Sequence, residues 1–190
     1  WLIISGIVAI AFWIYLKNSV IIEVIGLATG LFTSFAYGYA LARLKAPGKT
    51  VVFFHISSSG YVVARKSGDY VTKMLELAGG RYVFDDLGDP ETRTSTVTIE
   101  MEKFFATAKN ADYIIYNSTI GGEIKTIDEL LAKNELLAEF TAVQNGNVWC
   151  TSENMYQETT QLGQMIQSFQ KVFSGEADAL IELPYLYRLQ

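Results

Sequence analysis

Two rhythms of apolar and polar residues divide the chain near residue 47. Before that point, Leu2 to Leu16 is an unbroken run of 15 uncharged, mostly apolar residues, and Val20 to Ala42 is a second run of 23 whose only charge is Glu23. Lys17-Asn18-Ser19 separates the runs, so the pattern predicts two apolar helices joined by a short turn. The second run is long enough to cross a bilayer, while the first is short for it. Gly26, Gly30, Ser34, Gly38 and Ala42 recur every fourth residue, a spacing that lets another helix approach one face closely. Tyr15, Tyr37 and Tyr39 suit a membrane interface and a protein groove equally. A membrane hairpin and a tight helix–helix contact in a soluble core both fit. Ala46-Pro47-Gly48 ends the segment, which sets an apolar helical region at 1–46 and a second domain at 47–190.

From Thr50 onward, short apolar runs alternate with amphipathic ones. Val51 to Ile56 reads as a buried strand and Gly60 to Ala64 as a shorter extended piece. Asp69 caps a helix that runs to Leu77 and is stopped by Gly79-Gly80. Arg81 to Phe84, Asp112 to Tyr116 and Asn147 to Thr151 read as further strands. Thr98 to Lys109 reads as a helix with Ile99, Met101, Phe104, Phe105 and Ala108 on its apolar face. Thr126 to Leu131 and Glu135 to Ala138 are short helices, and Thr159 to Phe173 is a long one carrying Leu162, Met165, Ile166, Phe169, Val172 and Phe173 on one side. The predicted fold class is α/β, with a mostly parallel sheet flanked by helices on both faces and an apolar N-terminal helix pair before it.

Composition narrows the function. A chain of 190 residues holds one ordinary domain plus an appendage. The net charge is −5, but residues 1–50 carry +3, which leaves −8 on the rest. An acidic domain argues against nucleic acid as partner. A single cysteine, Cys150, leaves no internal disulfide and no thiolate zinc site, and a single histidine, His55, leaves no multi-histidine metal site. Trp1 in place of Met points to a fragment or processed product, and no signal peptide with a cleavage site is recognisable.

No catalytic pattern stands out. His55 and Ser57-Ser58-Ser59 are too close in sequence to form a triad, whose partners meet in space with an orienting acid. His55 reads as a structural residue or a pocket rim, and Cys150 as a small buried hydrophobe. Gly79-Gly80 ends a helix and lacks the dinucleotide spacing. Asp85, Asp86, Asp89 and Glu91 form an acidic loop without EF-hand spacing. The loops at the carboxyl ends of the strands are better candidates, because ligands bind there in open α/β sheets. Ser57, Ser58 and Ser59 offer hydroxyls and amides after the first strand. Arg65 and Lys66 lie just before a helix N-terminus and suit an anionic group. Asn117-Ser118-Thr119 follows another strand. Met155, Tyr156 and Gln157 follow the last strand, where Met155 and Tyr156 can stack on a flat ligand.

Over residues 48–175 the order of pieces resembles the C-terminal lobe of periplasmic substrate-binding proteins of siderophore, heme and cobalamin ABC importers, the helical-hinge class. The pieces are Leu75-Glu76-Leu77-Ala78-Gly79-Gly80, Tyr82-Val83-Phe84, Val97-Thr98-Ile99-Glu100, Asn110-Ala111-Asp112-Tyr113-Ile114-Ile115 and Ala142-Val143-Gln144-Asn145-Gly146-Asn147-Val148-Trp149. The resemblance implies a solute-binding component that captures a metal-chelate or corrinoid ligand outside the cytoplasm and catalyses nothing. It implies no resident cofactor, any metal arriving within the ligand. Ligand contacts would come from Ser57, Ser58, Ser59, Arg65, Lys66, Tyr156 and Gln157, and Glu100 would dock on ABC permease subunits. Two departures stand against the pattern: the N-terminal lobe has no counterpart here, and residues 1–45 are apolar where the family's bridging helix is amphipathic and charged. They leave a rival open, a membrane-tethered or self-associating interaction module built on the same lobe.

Overall fold

The computed structural model describes residues 12–27, 29–30, 48–84, 86–88, 94–156 and 158–190. Contacts within the chain group into two units, Trp1–Leu44 and Lys45–Gln190. The described part of the first unit is helical: residues 12–27 form a helix, α1, and residues 29–30 are helical too. Helix α1 continues through Lys17-Asn18-Ser19, where the sequence pattern predicts a turn. Those three residues contain neither glycine nor proline, so the backbone has no local reason to leave the helix, and they form one polar turn of it. Among the described residues no helix is long and apolar enough to cross a membrane. At Gly26 and Gly30 an added Cβ meets nothing within 4 Å. Ser34, Gly38, Ala42, Tyr37, Tyr39 and the Ala46-Pro47 boundary lie outside the described residues.

The second unit is a mixed sheet covered by helices. In chain order it runs β1 (Thr50–Ile56), β2 (Val62–Arg65), α2 (Tyr70–Leu77), β3 (Arg81–Tyr82), β4 (Thr96–Ile99), α3 (Met101–Ala108), β5 (Tyr113–Tyr116), α4 (Ser118–Gly121), α5 (Ile127–Leu131), a 3-10 turn (Glu135–Glu139), α6 (Thr141–Gln144) and β6 (Val148–Thr151). Two 3-10 turns (Glu153–Tyr156 and Thr159–Gln161), α7 (Leu162–Ser174), β7 (Glu182–Leu183) and β8 (Leu186–Arg188) complete it. The strand order is β4-β2-β1-β5-β6-β8-β7, with β3 pairing to the start of β1. The centre is parallel, Phe53 opposite Ile115 and Ile115 opposite Trp149. Antiparallel strands extend it on both sides.

Each central strand is apolar on both sides because helices cover both faces. Phe54 of β1 meets Phe104 of α3 at 4.5 Å between ring centroids, and Phe104 stacks on Phe140. On the opposite face Tyr113 of β5 meets Phe173 of α7 at 5.5 Å, and α2 packs beside α7. Local chemistry sets the ends of α2. The Asp69 carboxylate accepts from the Val71 amide, and Gly79 takes φ +93° just past the last turn.

The expected helix at Thr98–Lys109 is shorter. Thr98 and Ile99 belong to β4, which pairs with β2 through Val63 opposite Thr98, and the helix begins at Met101. Alternating Thr96-Val97-Thr98-Ile99 is half-buried sheet edge, and its period of 2 merges into the helical pattern that follows. The closing hairpin β7–β8 has no counterpart in the sequence reading. Its strands are two and three residues long, too short for a periodic signal.

Candidate functional site

The parallel strands β1, β5 and β6 deliver their following loops to one end of the sheet. There His55 and Ile56 at the end of β1 and Ser57, Ser58 and Gly60 of the loop after it line one cavity with Ile120 and Gly121 of α4, Gly122, and Lys133 beyond α5. Together they line an open cavity of about 650 Å³. The first loop is a tight turn, closed by the Gly60 amide on the Ser57 carbonyl and the Tyr61 amide on Ser57 Oγ. The floor is close-packed: a Cβ at Gly121 would stand 2.5 Å from Tyr116 Oη and 2.7 Å from His55 Cβ. The Gly121 carbonyl accepts both the Tyr116 hydroxyl and the Lys133 ammonium, each at 3.2 Å. Burial holds the Tyr116 hydroxyl up at about 12. Burial and then the Arg65 charge hold the His55 imidazole below its ordinary value, so the ring is neutral near pH 7.

A second cavity, about 580 Å³, lies at the turn from β2 into α2. Lys66, Ser67, Gly68, Asp69 and Tyr70 line it on one side, and Asp86, Leu87, Gly88, Thr94 and Ser95 on the other. Gly88, at φ +84°, lies against the Lys66 side chain and Val97.

The structure sorts the residues singled out from sequence. Ser57 and Ser58 line the first cavity, and Ser59 is exposed on the same turn. Lys66 lines the second cavity. Arg65 is different: its side chain is only 8% exposed and its charge is met internally. Asp69 faces it at 3.5 Å, Ser95 Oγ at 3.4 Å, and its Nη2 donates to the Tyr156 hydroxyl at 3.0 Å. The guanidinium also lies over the Tyr156 ring, 5.3 Å from the centroid. Burial raises the Tyr156 hydroxyl to about 12, against the pull of Arg65. Gln157 lies outside the described residues. Glu100 is exposed at the first cap of α3 and makes no side-chain capping bond. Asn117, Ser118 and Thr119 are spent on the fold: Ser118 Oγ donates to the Thr151 carbonyl and Thr119 Oγ1 to the Ser152 carbonyl. Among the described residues no group of three or more His, Cys, Asp or Glu side chains is placed to hold a metal ion. Sequence reasoning passed over Gly121, Gly122 and Lys133. The glycine pair after a strand is a readable signal, whereas nothing local to Lys133 marks it.

Comparison with known proteins gives a consistent picture. Residues 38–155 match the family model described as periplasmic binding protein. A lipoprotein of Methanocaldococcus jannaschii is 28% identical over 148 residues, covering 74% of this chain and 35% of the relative. A periplasmic heme-binding protein from Pseudomonas aeruginosa superposes with a TM-score of 0.57 at 16% identity, over 80% of this chain and 51% of that one. A TroA-like periplasmic binding protein, FepB, from Veillonella parvula gives 0.56 at 15% identity, over 79% and 51%. The chain thus spans about a third of the lipoprotein and about half of each structure.

Proposed function

Because the chain belongs to the periplasmic binding protein family, we propose that it is the C-terminal lobe of the solute-binding component of an ABC importer for iron-siderophore, heme or cobalamin-type ligands. The observation that carries this reading is the cavity between the loops after β1 and β5, at the end of the sheet where open α/β folds bind ligands. Its walls are two isoleucines, glycine backbone, serine hydroxyls, an imidazole and an ammonium, suited to holding a solute and offering no activated nucleophile. The function is capture and delivery without turnover. No resident cofactor is required, since any metal enters and leaves with the ligand. Glu100, exposed and free of capping duty, is the side chain that docks on permease subunits. The location is extracytoplasmic and membrane-associated, in keeping with the lipoprotein relative.

Titration calorimetry of the chain with hemin, ferrichrome and cyanocobalamin tests the reading. Saturable binding of one of them, lost when Ser58→Trp fills the cavity mouth, supports it. Unchanged binding in that variant refutes the placement, and no binding at all refutes the solute-binding reading for this chain.

A second reading rests on α1. Phe12, Trp13, Ile14, Tyr15, Ile22, Val24, Ile25 and Leu27 are each more than half exposed, so apolar side chains surround the helix. A helix apolar all round belongs in lipid or in a core. On this reading residues 1–45 anchor or oligomerise the chain. Sedimentation with and without mild detergent separates the two: a monomer in plain buffer removes the second reading, and a detergent requirement or a discrete oligomer supports it.

A further inference from the structure

We propose that the cavity at the carboxyl ends of β1 and β5 is an anion site that takes a carboxylate of the ligand, with Lys133 as its cation. The inference rests on the solute-binding reading above and narrows it to acidic chelates. Its first support is the lining itself. The chain carries 20 Asp and Glu against 15 Lys and Arg. Yet among the described residues the side chains around this cavity come from His55, Ile56, Ser57, Ser58, Ile120 and Lys133, with glycines between them, and none is a carboxylate. The neighbouring cavity, by contrast, carries Asp69 and Asp86 beside Lys66.

The second support is the geometry of Lys133. Its ammonium is turned back onto the Gly121 carbonyl at 3.2 Å and stands 6.0 Å from the Tyr116 ring centroid. Among the described residues it has no carboxylate within ion-pair distance. An ammonium offers three donors, and Gly121 takes one. The side chain is therefore held at the cavity wall with donors to spare, so little rotamer entropy is lost when an anion arrives. Ser57 Oγ accepts from the Tyr61 amide and keeps its own proton to donate, and Ser58 adds a second hydroxyl. Arg65 cannot supply this charge, since Asp69 already meets it in the interior.

The test uses the full chain and four measurements of affinity by calorimetry. Ferric citrate and hemin carry carboxylates on different scaffolds and separate a small hydroxycarboxylate chelate from a porphyrin. Ferrichrome, a hydroxamate chelate, carries none. The expected result is binding of ferric citrate or hemin, weakened about tenfold or more by Lys133→Met and restored to within a few-fold by Lys133→Arg, as a charge-assisted hydrogen bond requires. The fourth measurement repeats the tighter ligand at raised salt, where affinity falls. Ferrichrome binding as tightly as the carboxylates, or a Lys133→Met variant with unchanged affinity and unchanged urea midpoint, overturns the anion site and leaves solute binding standing. No binding by any of the three overturns the anion site, and no binding of cyanocobalamin as well overturns both.

Discussion

Arg65 and Tyr156 are 91 residues apart in sequence, yet the Arg65 guanidinium donates to the Tyr156 hydroxyl at 3.0 Å and lies over its ring. The contact ties the last residue of β2 to the segment after β6. It also redefines Arg65 as an interior residue. With Asp69 at 3.5 Å, each charge depends on the other for its burial. Removing the guanidinium leaves a buried carboxylate unpaired, so Arg65→Met should destabilise the fold by about 3 kcal/mol or more. Asp69→Asn added to that variant should recover part of the loss, because Asn removes the charge and still caps α2. Urea denaturation of the single and double variants measures both, and a single variant within 1 kcal/mol of the parent, an order-of-magnitude threshold, would contradict the account.

Gly121 marks the closest packing at the cavity floor. A methyl there collides with Tyr116 Oη and His55 Cβ at 2.5 and 2.7 Å. Gly121→Ala should cost about 1–3 kcal/mol and distort the cavity. Gly163, inside α7 with nothing within 4 Å of an added Cβ, is the matched control. There alanine should stabilise by roughly 0.5 kcal/mol through helix propensity alone. Equal effects at the two sites in thermal unfolding would remove the steric argument.

The docking role proposed for Glu100 separates stability from transport. Because its side chain caps nothing and is exposed, Glu100→Ala should leave stability within about 0.5 kcal/mol. Uptake in the complete importer should fall severalfold while ligand affinity holds. Normal uptake by this variant would strike out its docking role.

His55 gives a pH dependence with a defined sign. Its folded-state value lies below the ordinary 6.5, through burial and then the Arg65 charge. Between the two values the unfolded chain binds the proton and the folded chain does not, so stability rises with pH there. The contribution is present above pH 6.5 and is lost as pH falls through the folded value. Urea midpoints measured over about pH 5 to 7 should decline toward acid, and His55→Gln should flatten that decline. An identical slope in the variant would place the titration elsewhere.

Cys150 is fully buried in β6, and burial raises its thiol to about 12. Iodoacetamide at pH 8 should leave it unmodified in the native protein and label it in urea, since the thiolate is the reactive form. Rapid native labelling, followed by mass spectrometry, would show that β6 opens readily.

The α/β alternation, the caps of α2 and the apolar runs of β1, β5 and β6 were legible in the sequence. Each depends on side chains within a few residues of one another: Asp69 with the Val71 amide, Gly79 past the helix end, continuous apolar residues where both faces are covered. The same locality explains Ser57 and Ser58, which any loop after the first strand would place at the sheet's end. Local signals also misled. Lys17-Asn18-Ser19 reads as an interruption because it is polar, but a polar turn is compatible with a helix when no glycine or proline breaks it. Strands of two to four residues such as β4, β7 and β8 are recruited by pairing with neighbours, which no window along the chain contains.

Tertiary structure alone decided which cation is spent on the fold and which reaches a cavity. By composition Arg65 and Lys133 are equivalent positive charges. Arg65 is drawn inside because Asp69 and Tyr156 converge on it, and the low polarity of that site makes its charge an interior one. Lys133 reaches the cavity because Gly121 and Tyr116, each more than ten residues upstream, fix where its ammonium rests. Periodicity and capping are short-range and survive in the sequence. The burial and partnership of a single charge are long-range, and they exist only once the sheet has brought its loops together.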